Sequence, residues 1–209
     1  MASTENHYSP TLVNILARYL GWGISKVLWF LRYRGVENVP PREAGPFIVA
    51  SNHQTYVDPA WISRPFKRPL QFMAFDRAFD WRFIGPLITY LGAFPVSLEV
   101  GTTLKAMKLA LRALKDGAIL VVFPEGAREF ASGELLEFKE GVVRLAVAAK
   151  VPVLPVTISG GNRVWPQGQK YPTLFNPVTV TYHPLLKIES DDDLDDANEA
   201  LRQIIASAL

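Results

Sequence analysis

The sequence predicts an α/β domain, a mixed, largely parallel sheet flanked by helices, with an N-terminal amphipathic helical element ahead of it. Three observations predict this. The runs Phe47-Ile48-Val49-Ala50 and Ala118-Ile119-Leu120-Val121-Val122-Phe123 are apolar throughout, the pattern of strands covered on both faces. Helical periodicity separates such runs, most cleanly over residues 102–115, where Leu104, Met107, Leu111 and Leu114 share one face. Finally, nearly every residue from 12 to 31 is apolar or aromatic, and Arg32 and Arg34 close that stretch.

A chain of 209 residues suits one such domain, here residues 35–209, with residues 1–34 as the separate leading element. It has no cysteine, which removes thiol nucleophiles, disulfides and cysteine-ligated metals. Residues 1–115 carry 14 Lys and Arg against 7 Asp and Glu, and residues 116–209 carry 8 against 13. A basic front half fits nucleic acid, an anionic membrane surface or a solvated face, and only its neighbours can choose among them.

Those neighbours are greasy. Residues 1–10 are polar and lack the features of a signal peptide. In residues 12–31, Asn14, Arg18, Ser25 and Arg32 form one thin polar stripe at helical spacing, and Tyr19, Trp22, Trp29 and Phe30 supply interfacial aromatics. The length is near the lower limit for a bilayer span, but Arg18 and Lys26 would lie inside it. The expectation is one helix, or two hinged at Gly21 and Gly23, lying in the membrane interface, so that the protein is peripheral or monotopic on the cytoplasmic face. A core helix of a soluble domain, or a single span, remains open from these residues alone.

Residues 35–41 read as a turn-rich lead-in to the first strand. Behind that strand comes Ser51-Asn52-His53-Gln54-Thr55-Tyr56-Val57-Asp58-Pro59. His53 therefore leaves the carboxyl end of a buried strand, where α/β sheets bind ligands. Pro59 suits the first position of a helix and Asp58 a cap before it, which leaves 53–58 as a loop able to fold back. In that geometry Asp58 can hold one imidazole nitrogen and leave the other as a base. A cap beside an unrelated loop histidine explains the same spacing.

A short helix to Ser63 follows, then Arg64, Lys67 and Arg68 among Pro65, Phe66 and Pro69, a basic knuckle that suits either phosphates or solvent. Residues 70–75 read as a strand, and residues 79–91 as an aromatic-rich helical segment broken at Gly85-Pro86, filling the core or lining an apolar channel. After the helix at 102–115 and the strand at 118–123 comes Pro124-Glu125-Gly126-Ala127-Arg128, the second place where polar residues leave a buried strand. Residues 139–149 read as a helix, 151–158 as a strand, 160–172 as a loop, 178–182 as a strand and 194–209 as a helix. Asp191, Asp192, Asp193, Asp195 and Asp196 suit the positive end of that last helix better than a calcium loop. His7 and His183 read as structural or surface residues, no metal site is suggested, and P-loop, GxGxxG and GxSxG motifs are absent.

Taken together, these blocks resemble the glycerolipid acyltransferase family typified by 1-acylglycerol-3-phosphate acyltransferases, over roughly residues 36–184. His53 to Asp58 matches its His-x-x-x-x-Asp block, with Asn52 and Gln54 agreeing with the flanks. Phe123-Pro124-Glu125-Gly126 matches its Phe-Pro-Glu-Gly block, Arg128 falls on the basic residue beyond it, and Phe138-Lys139-x-Gly141 continues the pattern. Val151-Pro152-Val153-Leu154-Pro155-Val156 matches the fourth, proline-containing block. Two positions depart: Leu98 stands where the second block carries an arginine, and Ala127 replaces a threonine, both at positions the family uses to grip an acceptor phosphate.

The resemblance implies transfer of an acyl group from a thioester, acyl-CoA or acyl carrier protein, to a hydroxyl of a lysophospholipid, with 1-acylglycerol-3-phosphate as the expected acceptor. It implies His53 as base, Asp58 as its support, and no cofactor or metal. Phe123, Pro124, Glu125, Gly126, Arg128 and Lys139 become substrate-binding candidates. Arg128 would grip the phosphate; Glu125 would orient the acceptor or Arg128, or form a loop salt bridge; Lys139 would add charge or simply start a helix in solvent. Residues 12–31 and 75–91 would dock the membrane and line part of an acyl channel, and nucleic acid is not expected. Two other classes compete: a non-catalytic lipid-binding module and a hydrolase using the same dyad on water.

Overall fold

The computed structural model describes residues 22–75, 94–96, 103–188 and 193–209. Seven strands form one sheet: β1 (Arg32–Arg34), β2 (Phe47–Ser51), β3 (Leu70–Phe75), β4 (Phe94–Val96), β5 (Ile119–Val122), β6 (Val153–Ser159) and β7 (Thr179–Tyr182). Their spatial order is β1-β7-β6-β2-β5-β3-β4. Every neighbouring pair is parallel except β6 and β7, so the sheet is mixed and largely parallel, as expected. Among the described residues, besides a helical stretch at 22–28, the helices are α1 (Asp58–Ser63), α2 (Thr103–Lys115), α3 (Gly141–Ala149) and α4 (Leu194–Ala206).

The central strand β2 shows why its sequence is apolar without alternation. Phe47 and Val49 enter a core on one face with Trp29, Leu31, Trp61 and Ile62. Ile48 and Ala50 enter a second core on the other face with Leu114, Leu120, Val142, Leu201 and Ile205, beneath α2, α3 and α4. All five residues of β2 are buried, because a parallel strand in mid-sheet has no wet face. That burial fixes its carboxyl end, and with it the start of the loop carrying His53.

The start of the described chain places the end of the apolar stretch differently from the helical reading. Residues 22–28 are helical, but the helix ends there, and Arg32 belongs to β1, paired with Thr179 of β7, rather than to a helical polar stripe. Ser25, Trp29 and Leu31 are buried, and the Trp29 indole Nε1–H donates to Thr173 O at 2.7 Å. The end of the stretch thus belongs to the core and sheet. The reason is the hydrogen-bonding demand of β7, whose outer edge needs a partner, together with the fit of the Trp29 ring edge-on to Trp61, with centroids 5.7 Å apart. Residues 12–21 lie outside the described residues, as do residues 76–93, which include most of the aromatic-rich segment.

The basic knuckle is corrected as well. The Arg68 guanidinium donates to the carbonyls of Ala44 and Gly117, just before β2 and β5 begin. It therefore sits at the amino end of the parallel strands, opposite His53, where it satisfies loop carbonyls. The Arg64 guanidinium rests 4.8 Å from the centre of the Trp22 ring. The missed strands β1 and β4 have three residues each, too few for periodicity to announce them.

Candidate active site

Side chains continue the sheet where β2 stops. The buried Asn52 carboxamide donates from Nδ2 to Ile158 O at 2.8 Å and accepts the Ile158 N–H at Oδ1 at 2.7 Å, so it pairs with β6 as a backbone unit would. One residue later the backbone of His53 is held at both ends: its N–H donates to Glu125 Oε1 at 2.8 Å, and its carbonyl accepts the Glu129 N–H at 2.8 Å. Gln54, also buried, bridges two further loops by donating to Gly133 O at 2.9 Å and accepting from Gly161 N–H at 2.8 Å.

With the backbone fixed in this way, the loop turns back and brings Asp58 to the imidazole. Asp58 Oδ2 lies 2.8 Å from His53 Nδ1 and accepts backbone N–H groups of Gln54 at 2.7 Å and Thr55 at 2.9 Å. The expected cap role is corrected: Val57 is the cap, Asp58 is the first helical residue, and its side chain makes no capping bond because it is spent on the loop behind it. Asp58 is fully buried, whereas the His53 side chain keeps 17% of its surface open. A carboxylate only accepts, so Nδ1 carries the proton and Nε2 keeps a free lone pair on the open side. Phe123, at the end of β5, stacks on the imidazole with centroids 4.0 Å apart and planes 14° from parallel, which fixes the ring's tilt.

The loop after β5 supplies the rest. The Pro124 carbonyl accepts the Lys139 N–H at 2.9 Å, and the Gly126 N–H closes a turn on Phe123 O at 3.0 Å. Gly126 has φ 65°, a backbone region that favours glycine, and the exposed Lys139 side chain lies across it, its Nζ 2.8 Å from where a Cβ would stand. Glu125 does something other than expected. Both carboxylate oxygens are spent on backbone, Oε1 on His53 N–H and Oε2 on Leu136 N–H at 2.9 Å, so the residue joins two loops. Burial pushes its pKa up to about 7 against those two hydrogen bonds, and the Glu129 and Asp58 carboxylates add to the rise. At Glu129, burial raises the pKa, but N–H donors from Ser132, Ala131 and Gly133 outweigh it and hold the carboxyl below its usual range.

Arg128 is half-buried, its guanidinium 3.6 Å from the centre of the Tyr56 ring and 5.1 Å from that of Phe130. Tyr56 in turn meets Trp165 edge-on at 5.4 Å. Burial draws the Arg128 pKa down, and Tyr56 and Asp58 push it back. Tyr56 also shares a side-chain hydrogen bond with Arg128, and a guanidinium has five N–H donors, enough to hold a doubly bonded anion as well.

These residues fall within a recognised family. The family model described as Acyltransferase matches residues 30–159, which span β1 through β6. The chain belongs to the acyltransferase family. It is 28% identical to a chloroplastic 1-acyl-sn-glycerol-3-phosphate acyltransferase of Arabidopsis thaliana, over 85% of this chain and 49% of that protein. It is 30% identical to 1-acyl-sn-glycerol-3-phosphate acyltransferase beta of Homo sapiens, over 79% of this chain and 60% of that one. The chain therefore spans about half to three fifths of the length of these relatives. Among solved structures it matches the 1-acyl-sn-glycerophosphate (LPA) acyltransferase PlsC of Thermotoga maritima with a TM-score of 0.70 and 27% identity, covering 85% of this chain and 70% of that one.

Within this acyltransferase fold, the two sequence blocks meet as parallel neighbours. β2 pairs with β5 from Phe47 opposite Ile119 to Ala50 opposite Val122, which places His53 and Phe123 at one end of the sheet. Leu98 lies outside the described residues, and Ala127 is exposed on the loop. Sequence reasoning missed Tyr56, Glu129, Phe130 and Trp165. Tyr56 had a signal, a large aromatic inside the His-x-x-x-x-Asp block, while the others had none beyond their loops. His183 is structural, as expected: its Nε2 lies 2.8 Å from Thr157 Oγ1, and Thr157 Oγ1 donates to Ile205 O. Among the described residues no group of three or more His, Cys, Asp or Glu side chains could hold a metal ion.

Proposed function

We propose that the protein transfers an acyl group from a thioester donor, acyl-CoA or acyl carrier protein, to the free hydroxyl of 1-acylglycerol-3-phosphate. The observation that carries this reading is His53 Nδ1 held at 2.8 Å by a fully buried Asp58, leaving Nε2 as a base, with the Arg128 cation 3.6 Å from the centre of the ring of Tyr56, which lies between His53 and Asp58 in sequence. The names of the relatives support the acceptor.

In this mechanism Nε2 takes the hydroxyl proton as the acceptor oxygen attacks the thioester carbonyl carbon. Asp58 stabilises the imidazolium, and the tetrahedral intermediate collapses by breaking the carbon–sulfur bond. The departing thiolate takes the proton back from Nε2, so the enzyme ends as it began and no acyl-enzyme forms. Arg128 and Lys139 hold the acceptor phosphate; Arg128 gives direction, and Lys139 gives charge. Glu125 and Glu129 act on His53 through its backbone.

The test is to incubate purified protein with labelled acyl-CoA or acyl carrier protein and a panel of lysolipids. Label in phosphatidate supports the proposal. Label in free acid without lysolipid dependence would make the protein a hydrolase, and label in neither product would make it a lipid-binding module.

A further inference from the structure

We propose that Tyr56 is a positioning residue for the acceptor: its ring holds the Arg128 guanidinium in one orientation and so sets how strongly a phosphorylated acceptor is preferred over one without phosphate; this rests on the reading that Arg128 meets the acceptor phosphate. Tyr56 stands on the loop that carries His53 and Asp58, at one of the four positions that the His-x-x-x-x-Asp block leaves open.

Three loops meet at its ring. Tyr56 follows β2, Phe130 follows β5 and Trp165 follows β6, and these strands are neighbours in the sheet. The Tyr56 centroid lies 6.2 Å from that of Phe130 and 5.4 Å from that of Trp165, which it meets edge-on. Trp165 is itself tied down, its indole Nε1–H donating to Gln169 O at 3.0 Å. Two residues before Tyr56, the buried Gln54 side chain already joins the same neighbouring loops at Gly133 O and Gly161 N–H. The loops are therefore linked without Tyr56, and its ring is left 44% exposed. What the ring adds is a seat for Arg128, whose guanidinium carbon is 3.6 Å from the centroid, with a side-chain hydrogen bond between the two residues. Cation–π attraction at that distance holds the guanidinium still, and a donor fork already held still loses less freedom when an anion binds.

The cation is short of a counter-ion. Arg128 is half-buried, and among the described residues no carboxylate stands within ion-pair distance of it. Asp58 favours its charge from farther away. Rings and a hydroxyl do not neutralise a partly desolvated charge, whereas a phosphate would. The adjacent Ala127 is exposed and has no hydroxyl to share that phosphate, which leaves the direction of the hold to Arg128 and to whatever orients it.

The experiment compares wild type, Tyr56→Leu and Tyr56→Phe, each also in an Arg128→Ala background, with detergent-dispersed 1-acylglycerol-3-phosphate and monoacylglycerol as acceptors. Tyr56→Leu should raise KM for the phosphorylated acceptor about ten-fold, lower kcat by less than about three-fold, and cut the preference over monoacylglycerol about ten-fold. Tyr56→Phe keeps the ring and loses the hydroxyl, so that KM rises about three-fold. In the Arg128→Ala background Tyr56→Leu should add less than about a two-fold change, because the ring acts through the guanidinium. An equal loss with both acceptors, or the full loss without Arg128, overturns the proposal, since the ring would then be structural or touch the substrate itself. If Tyr56→Leu melts too early to assay, Tyr56→Phe decides, and an unchanged KM overturns it. A tryptophan-fluorescence titration with glycerol 3-phosphate separates the two readings. Binding weakened about ten-fold by Tyr56→Leu in a protein that transfers no acyl group sinks only the acyl-transfer reading. Acyl transfer by wild type, with binding unaltered by Tyr56→Leu, sinks only the role of Tyr56.

Discussion

Replacing Glu125 by glutamine tests whether this residue serves the acceptor or the base. Its two oxygens accept the backbone N–H of His53 at 2.8 Å and of Leu136 at 2.9 Å. Glutamine has one acceptor atom, so whichever way it turns, an amide N–H₂ faces a backbone N–H. One charge-assisted hydrogen bond is lost, worth about 1.5–3 kcal/mol. Against that loss, the substitution removes a buried charge whose pKa burial has pushed up to about 7. The two effects oppose each other, so at neutral pH the stability of E125Q stays within about 2 kcal/mol of wild type. Catalysis has no such compensation, because the base has lost an anchor. A shift of about 1 Å in a catalytic group costs on the order of 10²-fold, so kcat falls about 10- to 100-fold while KM for the acceptor holds.

The pH dependence gives a second readout. Between the usual carboxylate range and about pH 7, folded Glu125 keeps a proton that the unfolded chain has released. The native state binds more protons there, so wild-type stability relative to E125Q falls as pH rises through that window and levels above it. Activity runs the other way, since the ionised form best accepts both N–H groups and Nε2 of His53 must be unprotonated. Wild type therefore shows one more titration on the acid limb of kcat than E125Q does. Chemical denaturation across pH and steady-state kinetics with saturating acyl donor measure both. A raised acceptor KM with unchanged kcat would refute the reasoning, because it would put the carboxylate on the substrate.

Three other substitutions probe the remaining parts. His53→Ala should lower turnover by about 10²–10⁴ with the fold retained by circular dichroism, and a folded variant with full activity would end the acyl-transfer reading. Arg128→Lys should raise KM for a phosphorylated acceptor more than it lowers kcat, since lysine gives neither a two-pronged contact nor flat stacking on Tyr56; an unchanged KM would remove Arg128 from the phosphate site. Asn52→Ala removes both bonds to Ile158 and leaves its buried N–H and C=O without those partners, a loss of about 2–4 kcal/mol in urea unfolding; a loss under 1 kcal/mol would mean that the sheet end holds without the side chain.

What could be read in advance was what nearby residues determine. The His53–Asp58 pair closes over five positions, and an apolar strand before it fixes its place, so spacing and residue type together were enough. Glu125 was legible as a site residue but not in its role. Its partners are backbone N–H groups, which every residue but proline carries, and no sequence pattern marks which of them will face a carboxylate. Arg68 failed for a related reason: a basic residue between prolines reads the same at either end of a strand, and here its carbonyl partners precede β2 and β5.

The N-terminal stretch is the more instructive case, because membrane helix and core helix were set against each other as alternatives. Apolarity cannot separate lipid from protein interior, since both remove the same surface from water. The choice was made by long-range contacts, the pairing of β1 with β7 and the bond from the Trp29 indole to Thr173. Those contacts claim only one side of the helical turns. Ser25 and Trp29 satisfy the core reading, while Ile24, Val27 and Phe30 stay outside it. That division has a mechanical consequence. The segment carries Trp29 on its inner face, and Trp29 packs edge-on against Trp61 of α1, the helix that begins with Asp58. The outer side of this segment is thus a short, packed path from the carboxylate that holds His53.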